Sequence, residues 1–546
     1  MQQPIPGAGP RADRLVRALI LITGLCATLV FSSCCLHPVP VTDPLPKVVI
    51  DAHTHLFNAH YLPIRGICLA NGVPLAAADV LEIIILALTG DSHLGERAAQ
   101  FETGSVTGRN ATAHVRRAKQ AATLSRAEVL TELIRPLNLA TLQSRLTARH
   151  RATLRAFIGR PDALVEPGPD LTAEEIALAL ERARVFADRH AAVEARGLAD
   201  LGGYLRFFSI VTSSERDQFG ALAATYPAVN LFVDHMMDLQ KTYGDDEPTF
   251  PFPLQVTKMK ALQNENPGRI LTFGAFDPFR RADALPAAQH AYEQGVVGFK
   301  FYPPDGYRPA GNVIPSITLE GTDQWHGRYD GITGGDLDQW NEAFFLFCIA
   351  HDLPIFIHCT PDGFESVKGY GLLMADPKFW KPVLEQERFR KLRLCFGHAG
   401  GTGLWFNGDA ASAGFGQTVI ELCETYDNVY CDAGYWEDVL TDAGVATLQQ
   451  RLATLFAGHP GLGKKIVYGT DWFMVSQVDN YGAYLARMAQ VFAAPSLVIY
   501  RDGFFAGNAA RYLKLDQLAK DTRLDEGVRA KLAELVQKLP AGWNQP

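Results

Sequence analysis

Two histidines separated by one residue, His53 and His55, end an apolar segment that begins at Lys47. Side chains alternate between the two faces of an extended strand, so both imidazoles should point to one side and Thr54 to the other. Two imidazoles on one face can hold a divalent cation between them. The spacing alone also fits two histidines that happen to share a buried strand, so the later segments of the chain decide the interpretation.

Three later apolar segments also end in a residue that can do chemistry. Their end residues are His358, His398 and Asp471. Continuous apolar runs are typical of strands covered on both faces, as in a parallel sheet with helices outside it. In a (β/α)₈ barrel the active site is built at the C-terminal ends of the strands. The sequence therefore predicts an α/β fold, a (β/α)₈ TIM-like barrel, in which four histidines and one aspartate converge.

Four further segments complete the predicted barrel, with amphipathic helices between some of them. The strands are predicted at 229–237, 270–276, 296–301 and 429–433, and helices near 253–266 and 282–294. Asp432, in the seventh strand, could orient a histidine ligand. Asp234 and His235 are adjacent and should face opposite sides of the second strand, so we interpret them as structural. Asp277 is interpreted as a turn residue.

Several short motifs occur in order between residue 47 and about residue 515. They are Asp51-Ala-His-Thr-His55, Gly298-Phe-Lys-Phe-Tyr-Pro-Pro304, Ile357-His358, Gly397-His-Ala-Gly-Gly401, Tyr468-Gly-Thr-Asp-Trp472 and Gly507-Asn-Ala-Ala-Arg511. In this order the sequence resembles the amidohydrolase superfamily. The resemblance is specifically to the amidohydrolase-related branch, which contains aminocarboxymuconate-semialdehyde decarboxylase and metal-dependent hydrolases and lactonases.

The resemblance implies roles for the residues at the strand ends. His53, His55 and His358 with Asp471 are the expected ligands of one divalent metal, a set that suits Zn²⁺ best and also admits Mn²⁺. Asp471 and His398 are the expected catalytic residues. The implied reaction is hydrolysis of an amide, ester or lactone by a metal-activated water. Non-oxidative decarboxylation of an unsaturated or aromatic acid is the alternative, and a barrel kept only for binding is a third hypothesis.

Lys300, at the end of the fourth strand, leaves three interpretations open. It could be carboxylated and bridge a second metal, remain an ammonium that lines the pocket, or form a structural ion pair. A compact charge whose pKa moves readily when buried suits the second role. The proline- and glycine-rich segment 303–335 is predicted to be a functional loop without a long helix. The expected substrate contacts are Lys300, Tyr302, Tyr307 and Trp325.

A helical insertion is predicted over about residues 64–225, longer than the first connection usual in the family. Ser125-Arg-Ala-Glu128 and Thr172-Ala-Glu-Glu175 have the capping-box pattern that begins helices. Because the insertion leaves the C-terminal end of the first strand, it could cover the site as a lid. The barrel is predicted to span residues 47–515, and residues 516–546 to form C-terminal helices.

Residues 1–34 have the pattern of a targeting segment. Three arginines precede an apolar run over residues 18–31, which is the length of a signal-peptide core and shorter than the ~20 residues of a transmembrane helix. Phe31-Ser-Ser-Cys34 resembles a bacterial lipoprotein processing site, with Cys34 as the lipidated residue. Residues 35–46 would form a proline-rich tether. We expect an exported, membrane-anchored lipoprotein, periplasmic or on the outer surface. The alternatives are secretion, an uncleaved anchor, or a cytoplasmic protein with a spurious start.

Composition argues against a nucleic-acid partner. The net charge is −8 at pH 7, so no basic footprint is present. With 47% hydrophobic and 20% charged residues, the chain can bury a large core. The nine cysteines include no Cys-x-x-Cys pair that would indicate a zinc ribbon or a redox site. The expected partner is a small-molecule substrate, with membrane contact only through the N-terminal lipid or anchor.

Overall fold

The computed structural model of the chain describes residues 39–70, 211–243, 250–314, 326–406 and 410–544, with isolated positions at 82, 85, 86, 89, 207, 210 and 248. The targeting segment, Trp325 and most of the predicted insertion, including both capping boxes, lie outside the described residues. The chain divides into two units, Met1–Leu36 with Asn58–Ser214, and His37–Phe57 with Glu215–Pro546. Within the described ranges, no helix is long and apolar enough to cross a membrane.

Eight parallel strands form one sheet in which each strand pairs with the next along the chain. They are β1 (Ile50–Thr54), β2 (Leu231–His235), β3 (Ile270–Phe276), β4 (Phe299–Phe301), β5 (Ile355–Ile357), β6 (Leu394–Phe396), β7 (Val429–Asp432) and β8 (Ile466–Val467). Two backbone hydrogen bonds connect β1 to the β8 segment, from Ala52 N to Tyr468 O (2.9 Å) and from Asp471 N to His53 O (2.7 Å). The predicted TIM-like barrel is confirmed.

Helices surround this barrel, and two of them match the amphipathic helices predicted near 253–266 and 282–294. The described helices are α1 (Ile64–Ala70), in the unit that contains Asn58–Ser214, and, in the barrel unit, α2 (Glu215–Thr225), α3 (Phe252–Glu265), α4 (Ala284–Glu293), α5 (Gly334–Ala350), α6 (Tyr370–Met374), α7 (Lys381–Leu384), α8 (Gly403–Phe406), α9 (Ala410–Thr425), α10 (Asp442–Gly458), α11 (Trp472–Val475), α12 (Tyr484–Phe492), α13 (Asn508–Leu513), α14 (Leu515–Leu518) and α15 (Glu526–Val536).

The expectation of a loop through Gly335 is wrong, because helix α5 begins at Gly334. Thr333 and Asp336 form a capping box. The Asp336 N–H donates to Thr333 Oγ1 (3.2 Å), and the Thr333 N–H donates to Asp336 Oδ2 (2.7 Å). Two of the first orphan donors of the helix are thereby satisfied, which outweighs the low helix propensity of the two glycines.

The C-terminal helices α13 to α15 close the end of the barrel opposite the catalytic face. Their apolar side chains, including Tyr512 and Leu532, share one buried cluster with residues from the lower parts of the strands, such as Ile50 and Leu231. The Tyr512 ring lies 5.5 Å from the ring of Tyr430 on β7. Burial of this apolar surface anchors the strands from below, so their C-terminal ends are held in fixed positions.

Strand β1 contains an irregularity between Asp51 and Thr54, an interval that includes His53. Asp51 pairs with Phe232 and Thr54 pairs with Asp234, so β1 advances by three residues where β2 advances by two. This extra residue is a β-bulge, which changes the side of the sheet to which the following side chains point. Ile50 and Ala52 belong to the interior cluster below the bulge, whereas His53 and His55 point into the interior above it. The bulge therefore turns both histidines inward.

Candidate active site

His53 and His55 face each other through their Nε2 atoms, which are 3.3 Å apart. On the other side of each ring, His53 Nδ1 lies 3.0 Å from Asp432 Oδ2 and His55 Nδ1 lies 2.6 Å from the carbonyl oxygen of His235. A carbonyl or carboxylate oxygen accepts a hydrogen bond, so each Nδ1 carries the proton and each Nε2 presents a lone pair. Two buried lone pairs that face each other at this distance repel, and a cation bound between them would remove the repulsion.

His398 and His358 add two further nitrogen lone pairs. His398 Nδ1 lies 3.0 Å from the Gly434 carbonyl, and His358 Nε2 lies 3.1 Å from the Asp362 carbonyl. By the same reasoning, His398 presents Nε2 and His358 presents Nδ1, and these two atoms are 3.3 Å apart. The four histidines that the sequence singled out therefore each direct an unprotonated nitrogen toward another histidine of the group.

Asp471 contributes the carboxylate. Its Oδ1 is buried, has no hydrogen-bond partner in the described chain, and lies 3.7 Å from His55 Nε2. His53, His398 and Asp471 each offer one ligand atom, all within 4.8 Å of one another. His55 is adjacent to two members of this group, whereas His358 adjoins it through His398. The structure thus brings His398, predicted as a catalytic residue, into the compact cluster together with two of the predicted ligands.

Burial controls the charge of these groups. It lowers the pKa of His53, His55 and His358 well below the usual value and that of His398 to about 3, and the nearby Lys300 ammonium lowers all four further. Neutral imidazoles are the form that binds metals. Burial also raises the pKa of Asp471 to about 7, against the opposing attraction of Lys300. An orphaned carboxylate oxygen among neutral imidazole lone pairs fits a divalent cation.

Asp432 supports two of the histidines. It accepts the His398 backbone N–H (2.5 Å) and the Gly434 N–H (2.9 Å) in addition to the His53 ring proton. Burial raises its pKa to about 8, while the His398 N–H and the Lys300 charge act in the opposite direction. Because three N–H donors converge on its two oxygens, the geometry favours the ionised form. Asp432 occupies the supporting position that the sequence predicted for it.

Lys300 lies on the interior side of β4, almost completely buried. Its Nζ is 3.4 Å from His53 Nε2 and 4.6 Å from the centre of the Phe356 ring. Burial lowers its pKa to about 8, although Asp471 and Asp432 attract the charged form. In the described chain, no carboxylate oxygen lies within 4.0 Å of this ammonium. The position of Lys300 supports the interpretation that it is an ammonium lining the pocket, and it does not support a structural ion pair.

Tyr302 and Tyr307, both predicted to contact the substrate, have different surroundings in the structure. The Tyr302 hydroxyl accepts the Phe364 N–H (2.9 Å), and its ring lies 4.6 Å from the His358 ring, beside the histidine cluster. Tyr307 is fully buried; its hydroxyl accepts the Tyr302 N–H (3.1 Å) and donates to the Phe276 carbonyl (3.2 Å). Tyr307 is therefore a structural residue and not the expected substrate contact.

Two glycines that the sequence analysis did not single out make room for the cluster. A Cβ at Gly469 would lie 2.3 Å from Asp432 Oδ2 and 2.7 Å from His53 Cβ. A Cβ at Gly434 would lie 2.6 Å from His53 Nδ1. Gly434 lies two residues after Asp432, and Gly469 lies two residues before Asp471. A glycine so near a functional residue can indicate that the backbone is closely packed there.

Asp51 was also missed as an individual residue, although it lies in the first motif. Its Oδ1 accepts the N–H groups of His53 (3.2 Å) and Thr470 (3.0 Å), and its Oδ2 accepts the Thr470 hydroxyl (2.7 Å). One carboxyl group thus joins the segment of β1 that carries the histidines to the segment that carries Asp471. Burial raises its pKa to about 7, and the bonds from Thr470 oppose this.

The family model described as amidohydrolase matches residues 259–515. Together with the barrel and the histidine–aspartate cluster, this match supports the amidohydrolase-related branch of the amidohydrolase superfamily. The match and the cluster of possible metal ligands support a metal-dependent enzyme of that superfamily. A comparison with curated protein sequences finds no match.

The solved structures to which this chain is similar share little sequence with it. A TIM-barrel protein from Bordetella bronchiseptica is 14% identical, with a TM-score of 0.36 over 55% of this chain and 82% of its own. An amidohydrolase from Burkholderia multivorans with bound zinc is 14% identical, with a TM-score of 0.35 over 54% and 87%. A 5-carboxyvanillate decarboxylase from Novosphingobium aromaticivorans with bound manganese is 12% identical, with a TM-score of 0.35 over 54% and 80%.

Proposed function

We propose that this enzyme hydrolyses an amide, ester or lactone of a small molecule. The observation that supports hydrolysis is the buried Asp471 Oδ1, which has no hydrogen-bond partner among the described residues and lies 3.7 Å from the Nε2 atom of His55. A divalent ion held by His53, His55, Asp471 and either His398 or His358 would lower the pKa of water toward neutrality and polarise a carbonyl group. Zn²⁺ is the cation that best suits this nitrogen-rich donor set, and Mn²⁺ is the second choice.

Asp471 is the base in this proposal. A carboxylate without a competing donor can take a proton from the attacking water and return it to the leaving group. Burial raises the pKa of this carboxyl to about 7, and a divalent cation beside it would oppose that rise and favour the ionised form at neutral pH. If His358 completes the ligand set, the Nε2 atom of His398 would orient the substrate or exchange a proton, while its Nδ1–H is held by the Gly434 carbonyl.

Lys300 and Tyr302 are the proposed substrate-binding residues. The buried Lys300 ammonium can attract a carboxylate or a developing oxyanion, since charge is poorly screened at a buried position. The Tyr302 hydroxyl uses its lone pair for the Phe364 N–H, so its proton remains available for a substrate oxygen. A carboxylate partner for Lys300 would also suit the decarboxylation of an unsaturated or aromatic acid, which is the second candidate reaction.

One experiment separates the two reactions. Zinc- or manganese-loaded protein is incubated with panels of lactones, esters, amides and aromatic carboxylic acids, and both acid release and carbon dioxide are followed. We expect acid release that falls at least roughly 100-fold in kcat/KM in Asp471→Asn and His398→Ala. His459→Ala, at a half-exposed histidine paired with Glu424, is the control and should keep full activity. Carbon dioxide without hydrolysis would assign the decarboxylase reaction instead.

We also propose that the chain is exported and anchored by a lipid at Cys34. The support is the sequence pattern of residues 1–34 alone. Acyl chains at this position would hold the enzyme at a membrane surface, while the tether of residues 35–46 separates the barrel from it.

A further inference from the structure

His235, the last residue of β2, has an imidazole that the proposed reaction does not use. The side chain is fully buried, and its ring centre lies 5.2 Å from that of His53 and 4.3 Å from that of Phe356. A buried histidine beside a candidate metal centre requires a reason, because an apolar residue would fill the same space without polar atoms to satisfy.

Two hydrogen bonds join His235 to β1 and to His55, the residue that follows β1. Its Nε2 lies 2.8 Å from the Ala52 carbonyl, and its own carbonyl lies 2.6 Å from His55 Nδ1. The Ala52 oxygen can only accept, so Nε2 carries the proton. The other ring nitrogen, Nδ1, is buried without a hydrogen-bond partner in the described chain. One residue of β2 therefore contacts the chain at two points three residues apart, one in β1 and one directly after it.

These two points lie on either side of the position where β1 changes direction. Ala52 is the last interior residue below the bulge, and His55 is the second of the two histidines that the bulge turns inward. A bulge disturbs the regular hydrogen-bond ladder, and a buried carbonyl without a partner is costly. The His235 side chain supplies a donor to one such carbonyl, and its backbone fixes the ring orientation of His55 so that Nε2 points into the site.

We propose that His235 is a positioning residue that stabilises the β1 bulge and thereby aims His53 and His55 at the metal. This inference rests on the metal centre of the proposed function. It assigns no contact between His235 and the metal or the substrate. The donor on the His235 ring, rather than its size or its charge, is the property that matters.

Three variants test this inference in the full-length protein. His235→Phe keeps an aromatic ring against Phe356 and Phe273 and removes the donor. His235→Gln keeps an N–H donor at the end of a side chain of similar reach. Phe273→Leu is the matched control, since the Phe273 ring packs 4.8 Å from His235 within the same interior and makes no bond to β1.

Two measurements on each variant are needed. The dissociation constant of Zn²⁺ is measured by competition with a chelator, and the number of imidazoles bound to Zn²⁺ is measured by X-ray absorption. We expect His235→Phe to weaken Zn²⁺ binding roughly 10- to 100-fold and to lower the imidazole count. His235→Gln should recover most of the affinity, and Phe273→Leu should retain both values even where its thermal unfolding temperature falls.

The outcomes distinguish this inference from the proposed function. Zn²⁺ binding by wild type with an unchanged constant and imidazole count in His235→Phe would reject the positioning role and leave the metal centre intact. If His235→Phe fails to fold, His235→Gln decides alone, because a loss as large as tenfold there would contradict the role of the donor. Absence of Zn²⁺ and Mn²⁺ binding by wild type would reject the proposed function, and this inference with it.

Discussion

The Nδ1 atom of His53 lies 3.0 Å from Oδ2 of Asp432, and both side chains are completely buried. This pair fixes the tautomer of His53, so its Nε2 lone pair is directed at His55 and not at the barrel wall. Carboxylates that orient a histidine ligand in this way raise its basicity and hold its ring in place. Asp432 also accepts the His398 backbone N–H, which couples the position of β6 to the same carboxylate.

Asp432→Asn is therefore expected to weaken metal binding roughly 10- to 100-fold, because the amide supplies only one acceptor oxygen for three N–H donors. Competition with a chelator measures the constant. Asp427→Asn, at an exposed aspartate that precedes the same strand, is the control and should bind like wild type. Equal affinities for wild type and Asp432→Asn would show that this hydrogen bond does not support the site.

Gly469→Ala is expected to damage both stability and the site. Its Cβ would lie 2.3 Å from Asp432 Oδ2 and 2.7 Å from His53 Cβ, so the strand end or the histidine must move. Overpacking of this kind costs about 1–3 kcal/mol in the free energy of unfolding. Gly220→Ala, on α2 with no atom within 4 Å of the new Cβ, should instead be neutral or stabilising by up to about 1 kcal/mol. Urea unfolding of the two variants measures the difference, and equal effects would contradict this account of the packing.

Asp277 should make stability depend on pH. Its Oδ1 accepts the Phe279 N–H (2.9 Å), and its Oδ2 is buried without a partner in the described chain. Burial, together with the charge of Asp238, raises its pKa to about 7 from an ordinary value of 3.8. Between these two values the folded state binds more protons than the unfolded state, so this group makes the protein less stable as pH rises from about 4 to 7.

Asp277→Asn keeps the acceptor for Phe279 and removes the ionisation. We expect the stability of this variant relative to wild type to increase between pH 5 and pH 8, measured by urea unfolding at both values. Asp283→Asn, at an exposed aspartate in the same connection, is the control and should follow wild type at both pH values. A relative stability of Asp277→Asn that stays constant or falls with pH would contradict the raised pKa.

The N-terminal proposal has its own prediction. If Cys34 is lipidated, mass spectrometry of the protein from its native host should show a chain that begins at Cys34 and carries acyl groups. Cys34→Ser should then release the protein from the membrane fraction, because the acyl chains supply the anchor. Recovery of a chain with an unmodified Met1 would refute the proposal.

The barrel and most of the site were predictable because the chemistry lies at the ends of apolar strands. Each of the residues His358, His398 and Asp471 follows a continuous run of apolar residues, which is typical of a strand in a parallel sheet. In a barrel of parallel strands, residues at the C-terminal ends of the strands lie on the same face. The capping box at Thr333 was equally visible, but the glycines beside it suggested a loop. The substrate could not be predicted, because the segments expected to determine specificity, the insertion over about residues 64–225 and the segment 303–335, contain no motif that is typical of one substrate.

The inward direction of His53 and His55 could not be derived from the alternation rule on which it was predicted. Ile50 and Ala52 point into the interior, so uninterrupted alternation would turn His53 and His55 outward. The extra residue in β1 changes this, and no residue type in the segment marks a bulge. His235 was interpreted as structural for a related reason: its donor role depends on a carbonyl of another strand, which no pattern within β2 can reveal.

Metal analysis of the purified protein tests the central claim most directly. After equilibration with Zn²⁺ or Mn²⁺ and removal of the excess, wild type should retain about one equivalent, as expected for a catalytic site with three or four protein ligands. His53→Ala should retain little, because it removes a nitrogen at the centre of the cluster, whereas His459→Ala should match wild type. Retention of less than about half an equivalent by wild type, with no difference between wild type and His53→Ala, would contradict the account.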